Sequence, residues 1–411
     1  MTDAHAAAAQ MAARDAYGRL VALVTRRTGD VAGAEDALSE AFVAALERWP
    51  RDGVPDNPQG WLLAVARRRH VDQVRHSEVQ RRLAPALQLV AEELSSASSP
   101  PDRRLPLLFM CAHPSIAAAV RAPLMLQAVL GLTAQQIGQA FLVAPTTMGQ
   151  RLSRAKHKIR AAKIPFKPAA RWSSQLHRDR LAVVCEAIYA AFTTGHRHVN
   201  PHQQGLALEA IWLARLVHRT SHQDPETGGL LAMMLHIEAR RMARRDPQGR
   251  YVPLDIQDPS LWDRERLREA EGLLWQASHQ RRPGRFQLEA AIQSAHAHRA
   301  ISGRTDWVAI EMLYRELLTQ ADTLGARIAH LAALAEAHSA EFSYDRLLQL
   351  PKQATATQQA YWALRAHREH RLGRDPCASA SWAMKLSDDH AVQAFLEERF
   401  GVERGVNPES Y

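Results

Sequence analysis

The sequence predicts an all-α protein: two small helical modules followed by a longer, helical-repeat-like domain. Three observations predict it. Apolar residues recur at helical spacing in the first eighty residues, as in Ala34, Leu38, Phe42 and Leu46. A pair of short helical patterns joined by a tight apolar turn lies within 132–166. Beyond about residue 170 the helical pattern continues to the end, with Leu206, Ala210, Leu213, Leu216 and Val217 as one example. A chain of 411 residues has room for two or three domains at about 150 residues each.

Composition narrows the classes. Apolar residues make up 46% of the chain, enough for real cores, yet no apolar run approaches the roughly 20 residues of a membrane span. The opening residues MTDAHAAAAQ lack a basic stretch followed by an apolar one, so a cytoplasmic location is expected and no membrane partner. Cys111, Cys185 and Cys377 are odd in number and far apart, which predicts reduced thiols and no metal knuckle.

The elements follow in order. A first helix is expected over Ala12–Arg27, stopped by Gly29-Asp30, and a second over Val31–Trp49. Pro50 to Pro58 reads as a loop, and a third helix starts near Gln59. That helix carries Trp61, Leu62, Val65, Val71 and Val74 on one face and Arg67, Arg68, Arg69, Arg75, Arg81 and Arg82 on the other. Trp61 shares the apolar face, so a core role fits it better than stacking on a base. These elements make a module over 12–82. A linker is expected over 83–104, in which Glu92–Arg104 (EELSSASSPPDRR) is rich in Ser and Pro.

The second module spans 105–168. Thr133 is a good N-cap for a helix over Ala134–Ala140, residues 141–144 make the turn, and Pro145 suits the first turn of the next helix. In that helix Met148, Leu152, Ala155 and Ile159 form one apolar stripe, while Thr147, Gln150, Arg151, Arg154 and Lys158 share the opposite one. This is the design of a helix-turn-helix, whose second helix enters the major groove. Arg there pairs with guanine and Gln with adenine, and Thr contacts a thymine methyl. Charge agrees: Arg103 to Arg178 holds twelve Lys and Arg and no Asp or Glu, so the rest of a chain of net charge +9 carries −3. A groove-facing surface free of carboxylates suits phosphate. Helical hairpins that bind nothing can mimic the pattern, and the missing acids are what favour DNA.

The first module resolves what kind of DNA-binding protein is expected. AEDALSEAFVAALERWP followed by GWLLAVARRRHVDQVR resembles region two of extracytoplasmic-function sigma factors. The resemblance implies that Asp36, Glu40 and Phe42 meet the β′ clamp helices of core RNA polymerase. It also implies that the helix carrying Arg67, Asp72 and Arg75 holds melted minus-ten DNA; single-strand contacts suit the Asn57 loop and the Arg67–Arg69 face, so Asn57, Arg67, Arg68 and Arg75 are the expected minus-ten residues. Ser39 stands where the family usually has Gln. The helix-turn-helix resembles region four, which contacts the polymerase β flap. Thr146, Thr147, Gln150, Arg151, Arg154, Lys156 and Lys158 would bind the minus-thirty-five duplex, with Arg160 and Lys163 also available to phosphates. Segments such as FMCAHPSI, MMLHIEARRMARRDPQGRYVPLDIQDPSLWDRERL, RFQLEAAIQSAHA and TDWVAIEMLY resemble the subgroup with a long C-terminal helical extension. Phe192-Thr193-Thr194-Gly195-His196 departs from that subgroup's Phe-Asn-Glu-Gly-Tyr run.

That extension occupies 169–411. AYWALRAHREHRLGRDPCASASWAMKL resembles one tetratricopeptide hairpin, with Leu372-Gly373 at the tight packing point of its first helix and Ala378 and Trp382 in its second. Stacked hairpins offer a concave surface to a regulatory protein or ligand. Catalysis is not expected. No nucleophile elbow or phosphate loop stands in a strand–turn–helix context. His196, His198 and His202 lack carboxylate or Cys partners at ligand spacing, so neither metal nor cofactor is expected. His236 and His296 read as buried, hydrogen-bonded core residues rather than general bases. The expected function is a sigma factor regulated by its C-terminal helices. The rivals are a helix-turn-helix regulator that works without sigma function and a helical-repeat partner-binding protein.

Overall fold

A computed structural model describes residues 16–52, 55, 57–73, 85–92, 102–141, 143–166, 174–197 and 201–402. They are helical throughout, with one isolated β-bridge between Arg245 and Tyr251. The chain divides into two compact units, 1–221 and 222–411.

Unit one begins with α1 (16–28), whose end is set by Gly29 in the left-handed region at φ +69°. The Asp30 carboxylate then accepts from Gly33 N–H at 3.2 Å and caps α2 (Val31–Asp52). The predicted stop at Trp49 is overrun, because a proline in the last turn removes only one hydrogen bond and the helix continues through Pro50. Next, α3 (Pro58–Gln73) starts where Asn57 Oδ1 accepts from Gly60 N–H at 2.9 Å and Pro58 occupies the first helical position. Leu62, Leu63 and Ala66 bury one face of α3, and Trp61 packs its ring 5.6 Å from that of Trp49, which agrees with a core role.

The expected linker over 83–104 is structured at both ends. Residues 85–92 form α4, with Ala86, Leu87 and Val90 buried at helical spacing. Arg104 opens α5 (Arg104–Cys111) with only 1% of its surface exposed. Its Nε donates to Asp102 at 3.0 Å and its guanidinium lies over the Trp212 ring. Although burial opposes it, the Arg104 hydrogen bonds and charge hold Asp102 below the usual carboxylate range.

The helices α6 (Ala118–Leu130), α7 (Ala134–Ala140) and α8 (Pro145–Ala161) complete the second module. They do not stand apart from the first. A Cβ on Gly18 of α1 would sit 2.3 Å from Val129 O of α6, and one on Gly131 would meet the Tyr17 ring at 3.1 Å. The two modules therefore share backbone contacts. The boundary expected at 168/169 is likewise no break in packing. The hairpin α9 (Ser174–Arg197) and α10 (Pro201–Thr220) lies against α5, α6 and α7, and Leu206, Ala210, Leu213, Leu216 and Val217 are all buried.

Unit two starts with α11 (Pro225–Ala239), short 3-10 turns, then α12 (Arg264–His279) and α13 (Arg285–Ala297). A Cβ on Gly229 would meet Gln287 N at 2.5 Å, so α11 and α13 touch backbone to backbone. Glu226 of α11 accepts from the N–H groups of Phe286 (3.1 Å) and Gln287 (3.3 Å), capping α13 from a neighbouring helix. The chain continues through α14 (Arg299–Ser302), α15 (Trp307–Gln320), α16 (Leu324–Ala337), α17 (Ala340–Leu348), α18 (Lys352–Thr355), α19 (Gln359–Arg371), α20 (Cys377–Lys385) and α21 (His390–Phe400). From α15 on, packing runs chiefly between near neighbours in sequence, as in stacked hairpins. The predicted hairpin at 359–385 is present, but Gly373 does not serve close packing. A Cβ there would meet nothing, and its φ of +69° shows that it ends the turn after α19.

Candidate polymerase and DNA interface

The helix-turn-helix forms as its local chemistry dictates. Thr133 Oγ1 accepts from Gln136 N–H at 3.2 Å, while Gln136 Oε1 accepts from Thr133 N–H at 2.9 Å, a complete capping box. Gly138 admits the turn closely, since a Cβ there would stand 2.7 Å from Val143 O. Met148, Leu152, Ala155 and Ile159 are the buried residues of α8. The same register leaves Thr146, Gln150, Arg151, Arg154 and Lys158 exposed and Thr147 half-buried, so these six share the open side of the helix.

Lys156 is different. Its Nζ donates to Glu35 Oε2 of α2 at 2.7 Å, with side chains 14% and 5% exposed respectively. Four residues on, Arg160 lies 3.8 Å from Asp30 Oδ2. The cationic second half of α8 is thus docked on the acidic start of α2. Burial raises the Glu35 carboxyl above its ordinary range, against the pull of Lys156. Asp36 is also raised, by partial burial and by Asp30 and Glu40, with Lys156 opposing.

On α2, Asp36 is exposed and Glu40 half-exposed, one turn apart. Phe42 is half-buried and edge-on to Tyr17 at 5.3 Å, which fixes the helix rather than offering a free aromatic. Ser39 interacts with the Tyr17 hydroxyl. Asn57 is exposed, with its carboxamide oxygen engaged in the cap of α3. The backbones of Arg67 and Arg68 lie in α3, but their side chains, and Arg75 entirely, fall outside the described residues. His198, also weighed as a metal ligand, lies outside them too, and among the described residues no group of three or more metal-ligating side chains gathers. No helix among them is long and apolar enough to cross a membrane. Among the described residues no disulfide joins Cys111, Cys185 and Cys377, and burial pushes the Cys111 thiol up.

The exposed side of α8 is cationic and its buried side packs against α2, an arrangement that suits a DNA-binding module. Residues 13–79 match the model for Sigma-70 region 2, and residues 180–278 match a family of unknown function, DUF6596. An uncharacterized protein of Rhizobium meliloti is 38% identical over 296 residues, covering 69% of each chain. A probable ECF RNA polymerase sigma factor, SigI of Mycobacterium tuberculosis, is 32% identical over 154 residues, 35% of this chain and 52% of that one. No solved structure matches significantly. The chain belongs to the extracytoplasmic-function sigma factors that carry a long C-terminal extension.

Proposed function

We propose that the protein binds core RNA polymerase through Asp36 and Glu40, with Phe42 bracing the helix, and directs initiation at promoters read by α8. The observation that carries this reading is the pairing, in one compact unit, of a sigma region two with a helix-turn-helix whose Thr146, Thr147, Gln150, Arg151, Arg154 and Lys158 share an open face. Arg151 and Gln150 supply the bidentate groups that distinguish base pairs, and Lys158 supplies charge for phosphates. Melted minus-ten DNA would be held by Asn57, Arg67, Arg68 and Arg75.

The described state would be a closed one. Elements centred at minus thirty-five and minus ten are about 25 base pairs apart, about 85 Å along B-form DNA. In the closed unit α2 and α8 are joined by a 2.7 Å ion pair, so both elements cannot be reached at once. Promoter binding would require α8 to leave α2, freeing Lys156 and Arg160 for phosphate. The C-terminal helices would set that balance, because α9 and α10 already lie on the helices that carry the helix-turn-helix.

The test is run-off transcription with core polymerase on the chain's own upstream DNA. Arg151→Ala with Arg154→Ala should abolish dependence on the upstream element. Unchanged dependence would overturn the assignment of α8 as the reading helix.

A further inference from the structure

A second site lies in unit two and is independent of the sigma reading. Arg240 caps the C-terminal end of α11 and is 7% exposed. Its Nη2 donates to the neutral Gln293 Oε1, while its Nη1 is buried with no hydrogen-bond partner. No carboxylate among the described residues reaches it. On neighbouring turns Glu238 is paired with Arg241 at 2.6 Å, and Glu271 of α12 accepts from Ser294 at 2.7 Å.

The surroundings add positive charge. Arg244 and Arg299 both act on Arg240, and Arg240 in turn acts on His236 and His296. Arg299 is held in place by the carbonyls of Leu254 (3.1 Å) and Gln257 (2.7 Å), which orient it and leave its charge intact. His236, one turn before Arg240 on α11, is 0% exposed, and neither ring nitrogen makes a hydrogen bond. Glu271 Oε1 comes no closer to it than 3.5 Å. The expectation of a hydrogen-bonded core histidine therefore fails. Gln293, His296, Arg299 and Tyr314 are each only half-buried and stand around this floor.

A buried guanidinium without a counter-ion is costly, and the dipole of one helix end offsets only about half a charge. Such a group persists where a ligand completes it. We propose that Arg240, with Arg244, Arg299 and His296, forms a pocket for a small anion presenting a phosphate or carboxylate group. A planar guanidinium with a spare arm suits either oxyanion. Burial and the neighbouring guanidiniums lower Arg240 to about 10, and His236 and His296 are pushed down to about 3 and about 4 by burial and Arg240. An anion would relieve all three.

The experiment is calorimetric titration of the full chain with sodium phosphate and, separately, sodium malonate, each against sodium chloride at matched ionic strength. Saturable binding to one of the two is expected, and which one names the source chemistry. Arg240→Gln should weaken it at least about tenfold while raising the melting temperature of the ligand-free chain, because a buried uncompensated charge has gone. Should that variant not fold, Gln293→Leu removes only the neutral group that orients Arg240 and should also weaken binding. No saturable binding of either anion, or binding unchanged in whichever variant folds, overturns the proposal.

Discussion

Replacing Lys156 by Met removes one half of the pair that joins α8 to α2. Glu35 is left 5% exposed, with Asp30 and Asp36 nearby and no cation in contact except through the 3.8 Å Arg160–Asp30 pair. Removing one partner of a buried pair costs about 3–5 kcal/mol. Lys156 is 14% exposed and Arg160 is near, so a value of about 2–4 kcal/mol is expected for unit one at neutral pH. The double variant Glu35→Gln/Lys156→Met leaves no charge and should fall within about 1 kcal/mol of the parent.

The pH dependence follows from the raised Glu35 carboxyl. An acid with a raised folded pKa favours the folded state while protonated and loses that advantage as pH rises through the folded value. Losing Lys156 raises it further. The Lys156→Met penalty is therefore smallest below the ordinary carboxylate range and grows as pH rises above it. The assay is urea unfolding of the three variants across that range, with the double-mutant coupling energy as readout. A single-variant penalty independent of pH, or a double variant as unstable as the single, would refute the argument.

Gly229→Ala should destabilise unit two by about 1–3 kcal/mol, since the added methyl meets Gln287 N at 2.5 Å; a lowered urea midpoint with an unchanged slope is the expected signature. Thr133→Ala breaks the capping box and should cost about 1 kcal/mol in thermal unfolding, without altering the salt dependence of DNA binding. Lys158→Ala should weaken duplex binding alike on all sequences and reduce the logarithmic salt slope by about 1, while Gln150→Ala changes sequence preference instead.

What was legible in the sequence was local. The helix-turn-helix could be read because Thr133, Pro145 and the stripe Met148, Leu152, Ala155, Ile159 act within one or two turns of themselves. Region two is legible through the resemblance of AEDALSEAFVAALERWP and GWLLAVARRRHVDQVR to its family, and Gly29 marks the end of α1 from sequence alone. The failures are long-range. Nothing near Lys156 announces a partner on α2, so it reads as one more phosphate contact until the fold brings Glu35 to it. The short α4 is absorbed into the expected linker because it directly precedes the Ser- and Pro-rich run, although Ala86, Leu87 and Val90 carry a helical spacing. Arg104 looked like linker because its burial depends on Asp102 and on Trp212, far along the chain. The burial of His236 is legible from its helical face, whereas its lack of a hydrogen bond depends on side chains brought from other helices.

On the proposed reading the chain turns core polymerase into a promoter-specific enzyme through Asp36 and Glu40 of α2. The most direct measurement is run-off transcription by bacterial core RNA polymerase on the chain's own upstream DNA, comparing the parent with Asp36→Ala/Glu40→Ala. The account predicts a transcript with a single 5′ end that the double variant loses while still binding duplex DNA through α8. A transcript of equal yield from both would contradict it, as would duplex binding by the parent with no transcript at all.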